Sequence, residues 1–146
     1  VGRLDADSRG ALLLSDVGEL TLRLTHPRYS HAKTYRVLVK GIPNALVLRR
    51  WREGLRLDGR LTRPALVRCL RSRGTSSLLE VELREGRNRQ IRRVAELLGH
   101  PVIDLQRVAI DGIHLDDLAE GCWRRLDARE WAYIVDGNAT RSMDPS

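Results

Sequence analysis

Two segments of this 146-residue chain combine charged side chains in patterns that suit chemistry on an anionic ligand. The first is a loop that carries carboxylates and leads into a short apolar run, Gly2-Arg3-Leu4-Asp5-Ala6-Asp7-Ser8-Arg9-Gly10. The second is a turn that opens into a helix rich in arginine, Glu85-Gly86-Arg87-Asn88-Arg89-Gln90-Ile91-Arg92-Arg93. Helix N-termini and arginine side chains both attract phosphate. One segment therefore supplies a carboxylate and the other a phosphate-binding cluster.

The arginines of the second segment fall into two groups on a helical wheel. The apolar residues recur at helical spacing and form one stripe, Ile91, Val94, Ala95 and Leu98. At 100° per residue, Arg89 and Arg93 lie about 40° apart on the opposite side, whereas Arg92 lies only about 60° from Ala95. We therefore expect Arg92 to reach into a partly buried site, with Arg89 and Arg93 facing solvent or ligand. The alternative is that all three are solvated side chains on a helix face.

Other sequence patterns that carry chemistry are missing from the chain. It has no G-x-G-x-x-G, P-loop, H-E-x-x-H or nucleophile-elbow pattern. Its histidines lack metal-ligand spacing, so we expect no metal site and interpret them as surface or capping residues: His26, His31, His100 and His114. Cys69 and Cys122 lack the C-x-x-C spacing of a redox pair and suit a reducing compartment.

The charge of the chain points to a polyanionic partner. Its net charge is +7, and all of its 26 basic residues except Lys33 and Lys40 are arginine. The isoelectric point is near 10.4, and domains above about 9 are candidates for nucleic-acid binding. A GC-rich genome would explain the ratio of arginine to lysine, but it would not explain the excess of positive charge. No apolar run approaches the ~18 residues of a membrane span, so we expect no membrane contact.

Hydrophobic patterning predicts the strands that must position the two segments. Leu79, Val81 and Leu83 alternate with charged residues, which indicates a half-buried strand that begins at Ser76. Further strands are predicted at residues 11–14, 34–39, 102–105 and 123–126, with one or two short strands around Pro64 within residues 61–70.

Three helices are predicted between these strands. Each begins at a capping residue, respectively Asp16, Asn44 and Asn88. Each ends at a helix breaker, respectively Pro27, Gly54 and Gly99. The irregular interleaving of strands and helices favours an α+β fold, a mixed and mainly antiparallel sheet with flanking helices, over a doubly wound parallel sheet.

Three motifs together resemble those of RNA pseudouridine synthases of the RsuA, RluB, RluE and RluF type. The first segment, continued through Leu12-Leu13-Leu14, is similar to the catalytic motif of that family. Lys33-Thr34-Tyr35 resembles its second motif, and residues 85–93 resemble its third. The motifs occur in the family's order with suitable separations, and the resemblance extends from Gly2 to about Tyr133. It implies the pseudouridine synthase catalytic fold.

The resemblance also implies roles for individual residues. Asp5 matches the essential aspartate, which either attacks the sugar or base or removes a C2′ proton. Tyr35 matches the tyrosine that stacks on the target base, and Arg92 matches the basic residue that pairs with the aspartate. Asp7 lies where the family often has another residue, so we interpret it as helping Ser8 to shape the turn. The residues predicted to bind RNA are Arg3, Lys33, Arg87, Arg89 and Arg93.

The activity that the resemblance implies is the isomerisation of a specific uridine to pseudouridine in ribosomal RNA. The spelling of the third motif favours large-subunit RNA. Such an enzyme flips the target uridine out of a structured RNA, and the reaction needs no cofactor. We expect the protein to be a monomer in the cytoplasm. The alternatives are a non-catalytic RNA-binding or ribosome-assembly protein on the same fold, and a DNA-binding module. The lack of a helix-turn-helix or zinc pattern weighs against DNA.

We expect residues 1–136 to form the catalytic domain and residues 137–146 to form a polar tail. The chain starts at Val1, close to the first motif. Relative to the family, we expect the first strand and any upstream S4-like RNA-binding module to be missing from this sequence.

Overall fold

The computed structural model describes residue 4 and residues 7–14, 31–87 and 89–135. In these parts the chain forms eight strands and three helices. The strands are β1 (Arg9–Gly10), β2 (Lys33–Lys40), β3 (Arg56–Leu57), β4 (Arg60–Leu61), β5 (Leu66–Arg73), β6 (Ser76–Leu83), β7 (Val102–Ile110) and β8 (Ile113–His114). The helices are α1 (Ala45–Glu53), α2 (Gln90–Leu97) and α3 (Ala128–Val135).

Six of the strands form one mixed sheet. Its order is β1-β7-β2-β6-β5, and β8 adds to β7. The short β1 runs parallel to β7, whereas the other pairs are antiparallel. Strands β3 and β4 form a separate hairpin. The predicted α+β class, with a mixed and mainly antiparallel sheet, is confirmed.

One face of the sheet carries the core. Leu79 and Val81 of β6 are fully buried with Val37 and Val39 of β2, as period-two alternation requires. Helices α1 and α2 pack on this face, and their buried side chains belong to the same cluster, Trp51, Ile91, Val94 and Ala95. On the opposite face the residues of β6 are partly exposed, among them Glu80 and Glu82. The core therefore fixes both helices against the central strands.

The predicted start and end of α1 are confirmed, whereas for α2 only the buried stripe and the end are confirmed. The Asn44 side chain accepts a hydrogen bond from the Val47 amide at 2.9 Å, and α1 ends at Gly54 as predicted. Helix α2 buries the predicted stripe and stops before Gly99, which has φ of 84°. The prediction of Asn88 as its cap is wrong, because the cap is Arg89, in the left-handed region and without a side-chain bond.

Other predicted elements differ in extent or type. The strands around Pro64 are β4 and β5, and residues 34–39 and 102–105 lie within the longer β2 and β7. The strand predicted at residues 11–14 is wrong, because pairing with β7 occurs at β1 and ends after Ala11. The strand predicted at residues 123–126 is also wrong, because this segment has no partner strand and Trp123 is 78% exposed.

The helix predicted between Asp16 and Pro27 and the tail predicted at residues 137–146 lie outside the described residues. The described helices are nine residues long at most, so none of them can cross a membrane.

Gly10 allows the first motif to lie directly against β7. A Cβ at this position would lie only 2.2 Å from the backbone oxygen of Arg107, and its φ is +127°. The Ala11 amide donates to the same oxygen at 2.8 Å. Only glycine permits this approach without displacing one strand from the other.

We predict that Gly10→Ala lowers the free energy of unfolding by about 2 kcal/mol or more, since it adds backbone strain and a clash. Gly59→Ala is the matched control, because Gly59 also has positive φ (+77°) but a Cβ there would have nothing within 4 Å. It should cost about 1 kcal/mol. Urea unfolding measures both values, and equal losses would contradict the steric role of Gly10.

Candidate active site

Strand β2 places Lys33 and Tyr35 on the core face, at the end of the sheet near the first motif. In the strand register Tyr35 lies opposite Val81 on one side and opposite Arg107 on the other. The Tyr35 ring is partly buried and packs against the core cluster. The strand therefore fixes the position of the ring while part of it remains accessible.

Arg107 is a buried arginine at the centre of this region. It is only 2% exposed, and its Nε donates to the Ala11 carbonyl at 2.8 Å. Its own backbone oxygen accepts from the Ala11 amide, so Arg107 ties the first motif to β7 twice. None of the sequence motifs singled out this residue. The available signal was an arginine at an inward position of β7, between the buried residues Leu105 and Ala109.

Lys33 is held in a confined position beside these groups. Its Nζ lies 3.0 Å from the point that a Cβ on Gly86 would occupy. Burial lowers the pKa of Lys33, the positive charge of Arg107 lowers this pKa further, and Asp111 opposes the shift. Lys33 and Arg107 thus place two positive charges next to Tyr35.

Arg92 reaches from α2 to the first motif. Its Nη2 donates to the Asp7 carbonyl at 2.7 Å and to Ser8 Oγ at 3.2 Å. Its Nε lies 3.5 Å from Asp7 Oδ2, and among the described residues this buried atom has no hydrogen-bond partner. The side chain is 16% exposed, against 43% for Arg89 and 34% for Arg93. Arg92 is therefore the least exposed of the three arginines, as the helical wheel predicts, whereas Arg89 and Arg93 pair with carboxylates of the protein.

Asp7 has contacts that its sequence pattern did not indicate. Arg89 donates two hydrogen bonds to its carboxylate, from Nη1 at 2.9 Å and from Nη2 at 2.8 Å. The hydrogen bond from Arg89 lowers the pKa of Asp7, and the charge of Arg92 lowers this pKa further, while desolvation opposes both effects. Asp7 therefore joins the first motif to the start of α2.

The remaining arginines of the third motif contact the β3–β4 hairpin. Arg87 donates to the carbonyl of Leu57 and, at 3.3 Å, to that of Arg60. Arg93 pairs with Asp58 at 2.7 Å. These contacts orient the turn before α2, and they occupy side chains that we predicted to bind RNA.

The two residues of the first motif that the prediction depends on most, Arg3 and Asp5, lie outside the described residues. The structure describes Leu4 and Asp7 on either side of Asp5. It therefore places Arg92 on the motif loop without describing the Asp5 side chain.

His31 corrects the interpretation of the histidines as surface or capping residues. It is 7% exposed, and its Nδ1 pairs with Oδ2 of Asp111. Oδ1 of Asp111 accepts from the Ala32 amide at 3.0 Å. The pair stabilises the entry to β2. Within the described parts of the chain, no group of three or more histidine, cysteine or acidic residues could hold a metal ion.

Comparison with known proteins identifies the family. The model of the RNA pseudouridylate synthase family matches residues 1–97. The chain is 41% identical to ribosomal large subunit pseudouridine synthase B of Bacillus subtilis, over 89% of this chain and 54% of that protein. It is 43% identical to ribosomal large subunit pseudouridine synthase E of Xanthomonas campestris pv. campestris, over 88% of this chain and 76% of that protein.

A solved structure supports the same assignment. A crystal structure of a pseudouridylate synthase superposes with a TM-score of 0.84 and 32% identity, over 91% of this chain and 57% of that one. The chain therefore belongs to the RNA pseudouridylate synthase family. It spans about half the length of the Bacillus relative.

We predict that the confined position of Lys33 makes stability depend on pH. Because burial and Arg107 lower its pKa, the folded chain holds this proton less tightly than the unfolded chain. The free energy of unfolding should therefore increase as pH rises from the lowered pKa of Lys33 towards the ordinary value of 10.5. Urea unfolding between pH 7 and about 10 should show that Lys33→Met lacks this gain.

Lys40→Met is the matched control, since Lys40 is the only other lysine and its side chain is exposed. Its stability profile should stay parallel to that of the wild type. A Lys33→Met profile that is also parallel would contradict the assignment.

Proposed function

We propose that this protein is an RNA pseudouridine synthase that converts a specific uridine of ribosomal RNA to pseudouridine. Membership of the family and the names of its relatives support the class of reaction and of substrate. The observation that carries the proposal is the contact of Arg92 with the loop of Asp7 and Ser8, two residues beyond Asp5. Residues 1–136 would form the catalytic domain, followed by a tail at residues 137–146.

The reaction suits a site with one catalytic carboxylate. The N1–C1′ bond breaks, the uracil turns, and a C1′–C5 bond forms while the C5 proton leaves and N1 gains a proton. Glycoside hydrolases generally need two carboxylates, since one must handle a leaving group or a water. Here the leaving base stays in the site and is joined again. No net oxidation occurs and no water is consumed.

Asp5 would be that carboxylate, and Arg92 would keep it ionised. A nearby guanidinium favours the charged form of a carboxylate and opposes the effect of burial. The buried Nε of Arg92 lacks a hydrogen-bond partner among the described residues, which supports a role as donor to a carboxylate of this loop. The two bonds from Nη2 to Asp7 and Ser8 would fix the direction of the guanidinium.

Tyr35 would hold the freed uracil by stacking. Its ring packs against the core cluster, so its position is fixed before the base binds. Reaching C1′ in a structured RNA requires the nucleotide to flip out, at a cost of a few kcal/mol. Lys33 and Arg107 place positive charge beside the ring and would favour the phosphate of the flipped nucleotide.

Phosphate contacts would also come from Arg3 and the third motif. Arg89 and Arg93 already pair with Asp7 and Asp58, so phosphate would have to replace a carboxylate at each. Such exposed ion pairs contribute little stability and are exchangeable. Arg87, which is tied to two carbonyls, would add charge while it keeps the hairpin in place.

We further propose large-subunit RNA as the substrate and the cytoplasm as the location, with the protein acting as a monomer and without a metal or cofactor. The spelling of the third motif and the names of the two relatives support the large subunit. The second candidate function is a non-catalytic RNA-binding protein. RNA binding that does not depend on Asp5 and is not accompanied by isomerisation would favour it.

We predict that Asp5→Asn abolishes activity, with a loss of at least about a thousandfold in kcat. Tritium released from ribosomal RNA that carries C5-labelled uridine measures turnover, and an RNA-binding assay runs in parallel. Asp117→Asn is the matched control, because this carboxylate is exposed and distant in sequence from the three motifs. It should retain wild-type turnover.

Arg92→Gln should also lower turnover strongly, whereas Arg93→Gln should mainly weaken RNA binding. Turnover that survives Asp5→Asn would contradict the assignment of the carboxylate. RNA binding without turnover in the wild type would favour the non-catalytic candidate.

A further inference from the structure

The positive charge of the chain is concentrated in one stretch. Residues 36–73 contain 11 basic residues but only two acidic ones, Glu53 and Asp58. The rest of the chain contains more acidic than basic residues. The stretch covers most of β2, α1, the β3–β4 hairpin and β5. The excess of charge therefore belongs to a defined part of the fold, most of it outside the site described above.

A β-bulge aligns the arginines of β5. Arg68 lies opposite Glu80 and Arg71 lies opposite Leu78, so Leu70 is the extra residue of the bulged strand. Without the bulge, residues 68 and 71 would point to opposite faces of the sheet. With it, both lie on the face opposite the core, and Arg73 follows two residues later.

Strand β2 adds two further cations to the same face. Arg36 lies opposite Glu80, and Lys40 lies opposite Ser76, which also faces Arg73. Lys40 and Arg73 are thus two strands apart, about 10 Å, whereas Arg71 and Arg73 are about 7 Å apart along β5. All of these cationic residues are exposed.

Two acidic residues of this face pair with arginines outside the group of Lys40, Arg71 and Arg73. Glu80 pairs with Arg68 at 3.1 Å, and Asp104 of β7 pairs with Arg9 at 2.6 Å. Lys40, Arg71 and Arg73 lie at the end of the sheet where a tight turn joins β5 to β6 in a hairpin. Among the described residues, no carboxylate forms an ion pair with any of these three cations. These three residues, here called the basic hairpin end, therefore keep their charge uncompensated.

We propose that the basic hairpin end binds the phosphate backbone of the RNA, away from the nucleotide that is modified. Arginine grips phosphate with two donors in a fixed fork, which suits two arginines side by side on a strand. The surface lies on the opposite face from α2 and about 17 Å along β2 from Tyr35. Only an RNA that extends well beyond the target uridine can reach both places.

This inference rests on the proposed function only in taking RNA as the ligand. It adds a phosphate contact that lies outside the third motif, whose Arg87, Arg89 and Arg93 already contact groups within the protein. The contact it assigns is independent of sequence, since contacts to phosphate position an RNA but do not read its bases.

The test compares Arg71→Gln/Arg73→Gln with the control Arg125→Gln/Arg129→Gln. The control residues are exposed and lie in a segment where acidic side chains outnumber basic ones. The probes are a fluorescein-labelled RNA hairpin of about 40 nucleotides and a six-nucleotide RNA. Fluorescence anisotropy gives Kd for each between about 50 and 200 mM salt.

For the long RNA we expect the Arg71/Arg73 variant to raise Kd about tenfold and to reduce the slope of log K against log salt by one to two. The six-nucleotide RNA and the control variant should show wild-type behaviour. In turnover with the long RNA, KM should rise more than kcat falls.

An unchanged Kd and slope in the Arg71/Arg73 variant, or an equal change in the control, would overturn the inference. Binding of a polyglutamate peptide that depends on Arg71 and Arg73, without any effect on RNA, would also overturn it and indicate an acidic protein partner. If the long RNA binds as expected but neither the wild type nor the variants release tritium, the proposed function is wrong and the RNA-binding role of this surface is retained. If turnover occurs but the Arg71/Arg73 variant binds RNA like the wild type, only the role of this surface is wrong.

Discussion

The contact between Arg92 and the loop of Asp7 and Ser8 is the interaction on which the candidate site depends. It joins two segments that lie more than eighty residues apart in sequence. Helix α2 can make this contact because its opposite side is anchored in the core through Ile91, Val94 and Ala95. Packing at the margin of the buried stripe restricts the position of the guanidinium. A guanidinium in a fixed position can orient a nearby carboxylate and favour its ionised form.

A second arginine holds the same loop from the other side. Arg107 lies in β7 and binds Ala11 through its side chain and its backbone, and Gly10 removes the Cβ that would prevent this approach. The first motif is thus fixed between a strand and a helix, while β2 presents Tyr35 at the same end of the sheet. The sheet and α2 together bring the three motifs into one place.

Much of this arrangement could be predicted from sequence where a local rule applies. Alternation identified β6, and the Asn44 cap and Gly54 stop identified α1, because these signals act over a few residues. Long-range pairing was not predictable in the same way. The run at residues 11–14 has strand composition, yet β7 pairs with Arg9–Gly10 instead. The engagement of Arg87 with the β3–β4 hairpin depends on a contact thirty residues away in sequence, which periodicity does not report.

The most direct test of the proposed activity uses unmodified ribosomal RNA transcripts of both subunits. Each transcript is incubated with the protein, and pseudouridine is then mapped at nucleotide resolution. We expect new pseudouridine at a specific position of the large-subunit RNA. RNA that binds the protein but gains no pseudouridine in either transcript would contradict the proposal.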